Sequence, residues 1–174
     1  NDMRSVTITA TDYSTFQNFN ITDVKLLGPA ATVIGASLSA DTGTSGTDFI
    51  TRTAAQTISG TLSANLASGE KVEVSYDNGS TWSDATTYAV GSASWSTVTT
   101  LAGSGTFLAR VSNAESSSTA RAQSYTLDTT APTTTAALSG TPGADGWHSA
   151  APTVTLTAAD GASGVGGTQY AIDD

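Results

Sequence analysis

Asp41 and Asp48 stand seven positions apart in the stretch 41–51, which reads DTGTSGTDFIT. Everything between them is Gly, Ser or Thr, and an apolar pair, Phe49 and Ile50, follows directly. Carboxylates with hydroxyl and carbonyl oxygens suit a hard cation, and the apolar pair can pin such a loop to a β-core. Calcium takes about six to eight oxygens, so two carboxylates, loop carbonyls and a water would be needed. Asp23 or Asp12, from the stretch before, could complete the shell. The same residues have a plainer use, because Asp41 can cap a turn and Asp48 can bond its own backbone. The loop also lacks the dense D-x-D-x-D spacing of a self-sufficient site. Both readings stand at this point.

Other chemistry-bearing residues are sparse. Asp128 could join Asp145 or Asp160 in a second oxygen cluster, or simply cap a turn. Trp82, Trp95 and Trp147 could stack on sugars, but they fall in different predicted strands and read as packing residues. His148 is the only histidine, with no paired nucleophile motif. Ser68–Lys71 matches an S-x-x-K string, yet it precedes a strand rather than opening a helix. There is no G-x-S-x-G, no phosphate-cradling loop and no zinc-type cluster. The expectation is a protein that is not an enzyme.

The elements that must hold the Asp41 loop read as β-strands. Val6, Ile8 and Ala10 alternate with Thr7, Thr9 and Thr11, and Phe19 with Ile21. A fuller set begins near Ala31: Val33 to Ala40, then Ile58-Gly60-Leu62, then Val72-Val74-Tyr76. Asp77-Asn78-Gly79-Ser80 is a hairpin signal, with Trp82 to Val90 expected as the returning strand. Ala93 to Leu101, Phe107-Ala109-Val111 and Tyr125-Leu127 follow. Seven or eight short strands in about 100 residues is the profile of an immunoglobulin-like sandwich. The best helical stretch, 64–70, is too short and contains Gly69.

The pattern then restarts. A spacing of 96 residues separates Ile58 from Val154, and again Tyr76 from Ile172. The strand Val6-Ile8-Ala10 corresponds to Phe107-Ala109-Val111, and Phe19-Ile21 to Tyr125-Leu127. A period near 100 residues predicts tandem domains. The expected division is the closing strands of one module in 1–29, a whole module in 30–130, and the opening strands of a third in 131–174. The third module stops at its hairpin, so this stretch is expected to be a window on a longer polypeptide.

Composition narrows the partners. Only 12% of the 174 residues are charged, and 15 acidic against 6 basic residues give −9. Nucleic acid and anionic membranes need clustered cations, so both are excluded as expected partners. There is no cysteine. No apolar run approaches the ~20 residues of a membrane span. If the protein is exported, its signal lies outside this sequence.

DTGTSGTDFIT, the run TISGTLSANLASGEKVEVSYDNGSTW and the linker LDTTAP together resemble the bacterial Ig-like repeats of large surface adhesins. GWHSAAPTVTLTAADGASGVGGTQYAIDD is similar to a related Ig-like subtype of secreted bacterial proteins. The resemblance implies an extracellular, structural repeat of an adhesin or surface filament. It also implies calcium near module junctions, with Asp41 and Asp48 at the matching positions. Leu26-Leu27-Gly28-Pro29 departs from the DTTAP-like linker, so the first junction is expected to be built differently. Expected partners are the neighbouring modules, other copies in a fibre, or a glycan or host-surface ligand. The rival reading is a glycan- or protein-binding accessory module of a secreted polysaccharide-degrading enzyme.

Overall fold

A computed structural model describes residues 28–171, and its ordered elements are all β-strands. The predicted strands at 4–11 and 19–22 and the residues Asp12, Asp23 and Ile172 lie outside the described residues.

The strands are β1 (Val33–Leu38), β2 (Ile50–Thr51), β3 (Ala55–Leu62), β4 (Lys71–Ser75), β5 (Ser83–Asp84) and β6 (Thr87–Tyr88). They continue as β7 (Ser94–Thr100), β8 (Gly105–Ser112), β9 (Arg121–Leu127), β10 (Thr133–Leu138) and β11 (Val154–Ala159). One four-stranded sheet runs β1-β3-β7-β6, and a five-stranded sheet runs β2-β9-β8-β4-β5. Period-two alternation explains the pairing of faces. Ile58 and Leu62 of β3 point inward with Trp95 of β7, and they meet Val72 and Val74 of β4 and Phe107, Ala109 and Val111 of β8. These residues are almost wholly buried and form one core shared by both sheets. Hydroxyl-bearing residues fill the outer positions, such as exposed Ser59 and Thr61 on β3.

Two sequence expectations are corrected in detail. The Asn-Gly hairpin forms, with Asn78 at φ 58° and Gly79 at φ 85°. Its returning strand is not continuous from Trp82 to Val90, however. Ser83 and Asp84 pair with β4, after which the chain crosses to the other sheet and Thr87 and Tyr88 pair with β7. Ala85, 4% exposed, is tucked into the core at the crossing and holds the change of sheet. The strand expected around Tyr170 is not formed within the described residues, where 167–171 carry no ladder.

After Pro132, β10 and β11 form a separate antiparallel pair in which Leu138 faces Val154 and Ala136 faces Leu156. This pairing matches that of β1 and β3, where Leu38 faces Ile58. Burial differs sharply: Ile58 is 0% exposed, whereas Val154 is 58% and Leu138 55% exposed.

Candidate functional site

The loop between β1 and β2 is fixed from beneath by a buried polar cluster. Gln56 sits at an inward position of β3 and turns its amide toward the loop. Its Nε2 donates to Ala40 O at 3.0 Å, Thr53 O at 2.8 Å and Thr51 Oγ1 at 3.1 Å. Its Oε1 accepts from Ala40 N at 3.1 Å. Thr51 Oγ1 also donates to Ala40 O at 2.6 Å. A buried amide that satisfies its donors and acceptors in this way fixes the two ends of the loop together. The first and last loop residues are joined by Thr42 N and Gly43 N, both donating to Ile50 O.

On that base the two aspartates meet. Asp41 Oδ2 accepts from Phe49 N at 2.9 Å, and Asp48 Oδ1 accepts from Ile50 N at 3.0 Å. Ser45 N donates to Asp48 Oδ2 at 3.3 Å. Phe49 has φ 62°, a left-handed conformation that a bulky residue adopts only when its surroundings impose it. The Asp41 bond to its amide and the Thr126 N bond to its carbonyl supply that constraint. The turn-capping use of both aspartates is therefore present in the structure.

Turn capping does not use all their oxygens. Asp41 Oδ1 is buried and has no hydrogen-bond partner. Burial raises the Asp41 carboxyl above its ordinary value, and the neighbouring Asp48 carboxylate adds to that against the lowering bond from Phe49 N. Gly43 makes room beside the pair, since a Cβ there would lie 2.9 Å from Asp48 Oδ1 and 3.1 Å from Oδ2. A buried, unpaired carboxylate oxygen beside a second carboxylate is satisfied by a shared proton or by a cation. The donor set fits a hard ion, though among the described residues no group of three or more His, Cys, Asp or Glu side chains surrounds it. Asp23, the expected third ligand, lies outside the described residues.

The second expected cluster also assembles, with one of its two alternatives. Asp128, 7% exposed at the end of β9, accepts from Thr130 N at 3.0 Å through Oδ1. Through Oδ2 it accepts from Ser163 N at 2.8 Å, beyond β11. Asp160 Oδ1 accepts from the same Ser163 amide at 2.8 Å, and also from Gly164 N at 3.0 Å. Asp160 Oδ2 is buried without a partner. The bonds from Ser163 and Thr130 hold the Asp128 carboxyl below its ordinary value. Asp145 makes no part of this cluster and is exposed. Between the Asp41 loop and the 163–166 loop lies a cleft of about 600 Å³, lined by Thr42, Thr44, Arg52, Asp128, Ser163 and Gly164 among others.

The remaining candidates do not converge. Trp95 is 3% exposed and lies in the core, as expected. Trp82 stacks under the Arg110 guanidinium at 3.8 Å and donates from Nε1 to Gly79 O at 3.0 Å. Trp147 is 81% exposed on the loop before β11, so its expected packing role does not hold. Asp77 closes its turn onto Ser75 and Thr81, bonds that lower its carboxyl to about 2.

Sequence reasoning missed Gln56, Glu70 and Ser163. Gln56 was open to detection, since a polar residue in phase with Ile58 and Leu62 must find partners inside. Glu70 was not: its Oε1 accepts from Ala30 N at 2.6 Å across 40 residues, pinning the chain where it enters the first strand. Comparison with family models, curated proteins and solved structures finds no match to this chain.

Proposed function

We propose that this chain is a structural spacer, a run of tandem immunoglobulin-like β-sandwich modules in a large exported bacterial surface protein of adhesin or filament type. The observation that carries the reading is the bond from Ser163 N to Asp128 Oδ2. It ties the end of one two-sheet body to the β unit that follows, over a linker of few residues. A carboxylate that caps its own linker turn and also grips the next unit serves to fix an angle. The separate positions of the three tryptophans offer no sugar platform, which favours a spacer over a glycan-binding accessory module.

Calcium belongs to this reading as the ion that stiffens junctions. Asp41 and Asp48 would hold it, with Asp23 of the preceding stretch completing the shell. It would neutralise the Asp41 carboxylate, whose ionisation burial and then the neighbouring Asp48 already disfavour. Together with a net charge of −9, this gives the folded chain a reason to recruit divalent cations.

The test is a thermal melt of the whole chain in excess calcium and then in excess chelator. An ion that binds only the folded form at a hundredfold excess over its Kd adds about 2.7 kcal/mol, so the expected result is a clear rise in Tm. The rise should vanish in Asp41→Asn/Asp48→Asn. Identical melts would leave the aspartates as turn-formers and remove calcium from the account.

A further inference from the structure

The strands that border the two sheets of the central body are not equally protected. β2, β5 and β6 hold two residues each, whereas β1 holds six. Where the short strands leave a neighbour partly bare, that neighbour has its own guard. Thr86 Oγ1 accepts from Val98 N of β7 at 3.0 Å, and the stretch of β9 beyond β2 opens with exposed Arg121. β1 reads VIGASL, with neither charge nor proline. An uncharged border strand of this length is a template for an added strand.

Antiparallel pairing fixes which backbone groups of β1 are available. Ser39 N donates to Thr57 O at 3.0 Å, so Gly35, Ser37 and Ser39 turn their backbone groups toward β3. Ala36 and Leu38 therefore turn theirs outward, where no described strand pairs with them. The bulge between Val33 and Gly35 interrupts the border on one side and leaves 35–38 as its straight part.

We propose that β1 of a second copy adds to this border, antiparallel and about a twofold axis at Ser37. Ala36 of each copy then faces Leu38 of the other, and each such pair exchanges both of its backbone bonds. The two four-stranded sheets become one continuous sheet. The pairing rests on the sheet order and not on the spacer reading, so either can fail without the other.

Two observations select a second copy as the occupant. Ser37, Ser59, Ser96 and Thr87 form one cross-strand row of hydroxyls on the outer face. At the axis Ser37 meets its own equivalent, and a hydroxyl both donates and accepts, so the row is complementary to itself. The charge distribution agrees. β1, β3, β6 and β7 carry no Asp, Glu, Lys, Arg or His, so chains of net charge −9 meet here without setting like charges opposite one another. An unlike partner would find no charge on this border to recognise.

Sedimentation of the full chain across a wide concentration range tests the pairing. The weight-average mass should climb from one chain and level off at two, because a twofold contact closes on itself. The Ala36 and Leu38 amides should exchange about tenfold more slowly in the dimer than in the monomer. Ser37→Lys sets two ammonium groups opposite each other at the axis and should hold the mass at one chain. Ala36→Pro removes an outward donor that β3 does not use, and should do the same. Ser59→Lys, on the same outer face but one strand further in, should still dimerise. A monomer at every concentration overturns the proposal, as does a dimer that survives Ser37→Lys. Loss of the dimer in Ser59→Lys as well overturns it in favour of stacked faces, and growth past two chains overturns the twofold pairing.

Discussion

Asp41 carries a buried carboxylate oxygen that accepts nothing, beside a second carboxylate, and its carboxyl is raised by that burial. A folded-state value above the unfolded one means the fold prefers the protonated form. The favourable contribution is complete below the ordinary value of 3.8 and is lost as pH rises through the raised value. At neutral pH and without metal, the ionised Asp41 is thus a cost. Asp41→Asn keeps an acceptor for Phe49 N and removes the charge. In chelator at pH 7 it should melt at or above the native temperature, by about 2–4 °C, with the gap closing as pH falls toward the unfolded value. In calcium the order should reverse. Glu73 shows the opposite balance. Burial alone would raise its carboxyl, but bonds from Lys71 and Arg110 lower it. Its contribution is present above the ordinary 4.5 and is lost as pH falls through the lowered value. Glu73→Ala strands Arg110 at a site with little solvent and should cost about 2 kcal/mol by urea denaturation.

β3 is the strand against which both neighbours are fitted, and Gly60 is where the fit is closest. A Cβ there would fall against Gly35 O of β1 and only 2.5 Å from Trp95 Nε1 of β7. Neither a strand carbonyl nor a buried indole can yield cheaply. Gly60→Ala should therefore cost about 1–3 kcal/mol in a denaturant titration, despite adding one methyl group. The strands carrying strict alternation, β3, β4, β7 and β8, were legible because one face is buried and the period is two. β2 was not, since two residues hold no period and its ladder with β9 joins residues some 76 positions apart in the sequence. β10 was missed because Thr133–Leu138 alternates weakly and lies largely in solvent. The break between β5 and β6 depends on Ala85 reaching the core, a tertiary event that an unbroken run from Trp82 to Val90 conceals. At the site, the spacing of Asp41 and Asp48 was enough to foresee their meeting. Ser163 was not foreseeable, because its part is played by a backbone amide that any residue carries.

Across the whole molecule, the Asp128 bond to Ser163 is where one β unit meets the next. The lowered Asp128 carboxyl means this contact is present above the ordinary 3.8 and is lost as pH falls through the lowered value. Amide exchange at Ser163 should accelerate by about tenfold in Asp128→Ala, while amides of β3 and β8 stay protected. Small-angle scattering of the same variant should show a broader spread of maximum dimension. A further consequence lies in the direction of the β2–β9 pair. β2 comes early in its body and β9 last, and they run parallel, with Ile50 opposite Thr126 and Thr51 opposite Leu127. Tension drawn along the polypeptide drags these two strands in opposite senses along their own axes. The bonds from Thr126 N to Phe49 O and from Asp128 N to Thr51 O are then loaded in shear together, rather than peeled one after another. A two-residue strand would set the rupture force of the body in an optical-trap extension, and Thr126→Pro, which deletes one donor, should lower it. A ladder of only two residue pairs is the latch that tension along the chain would have to break.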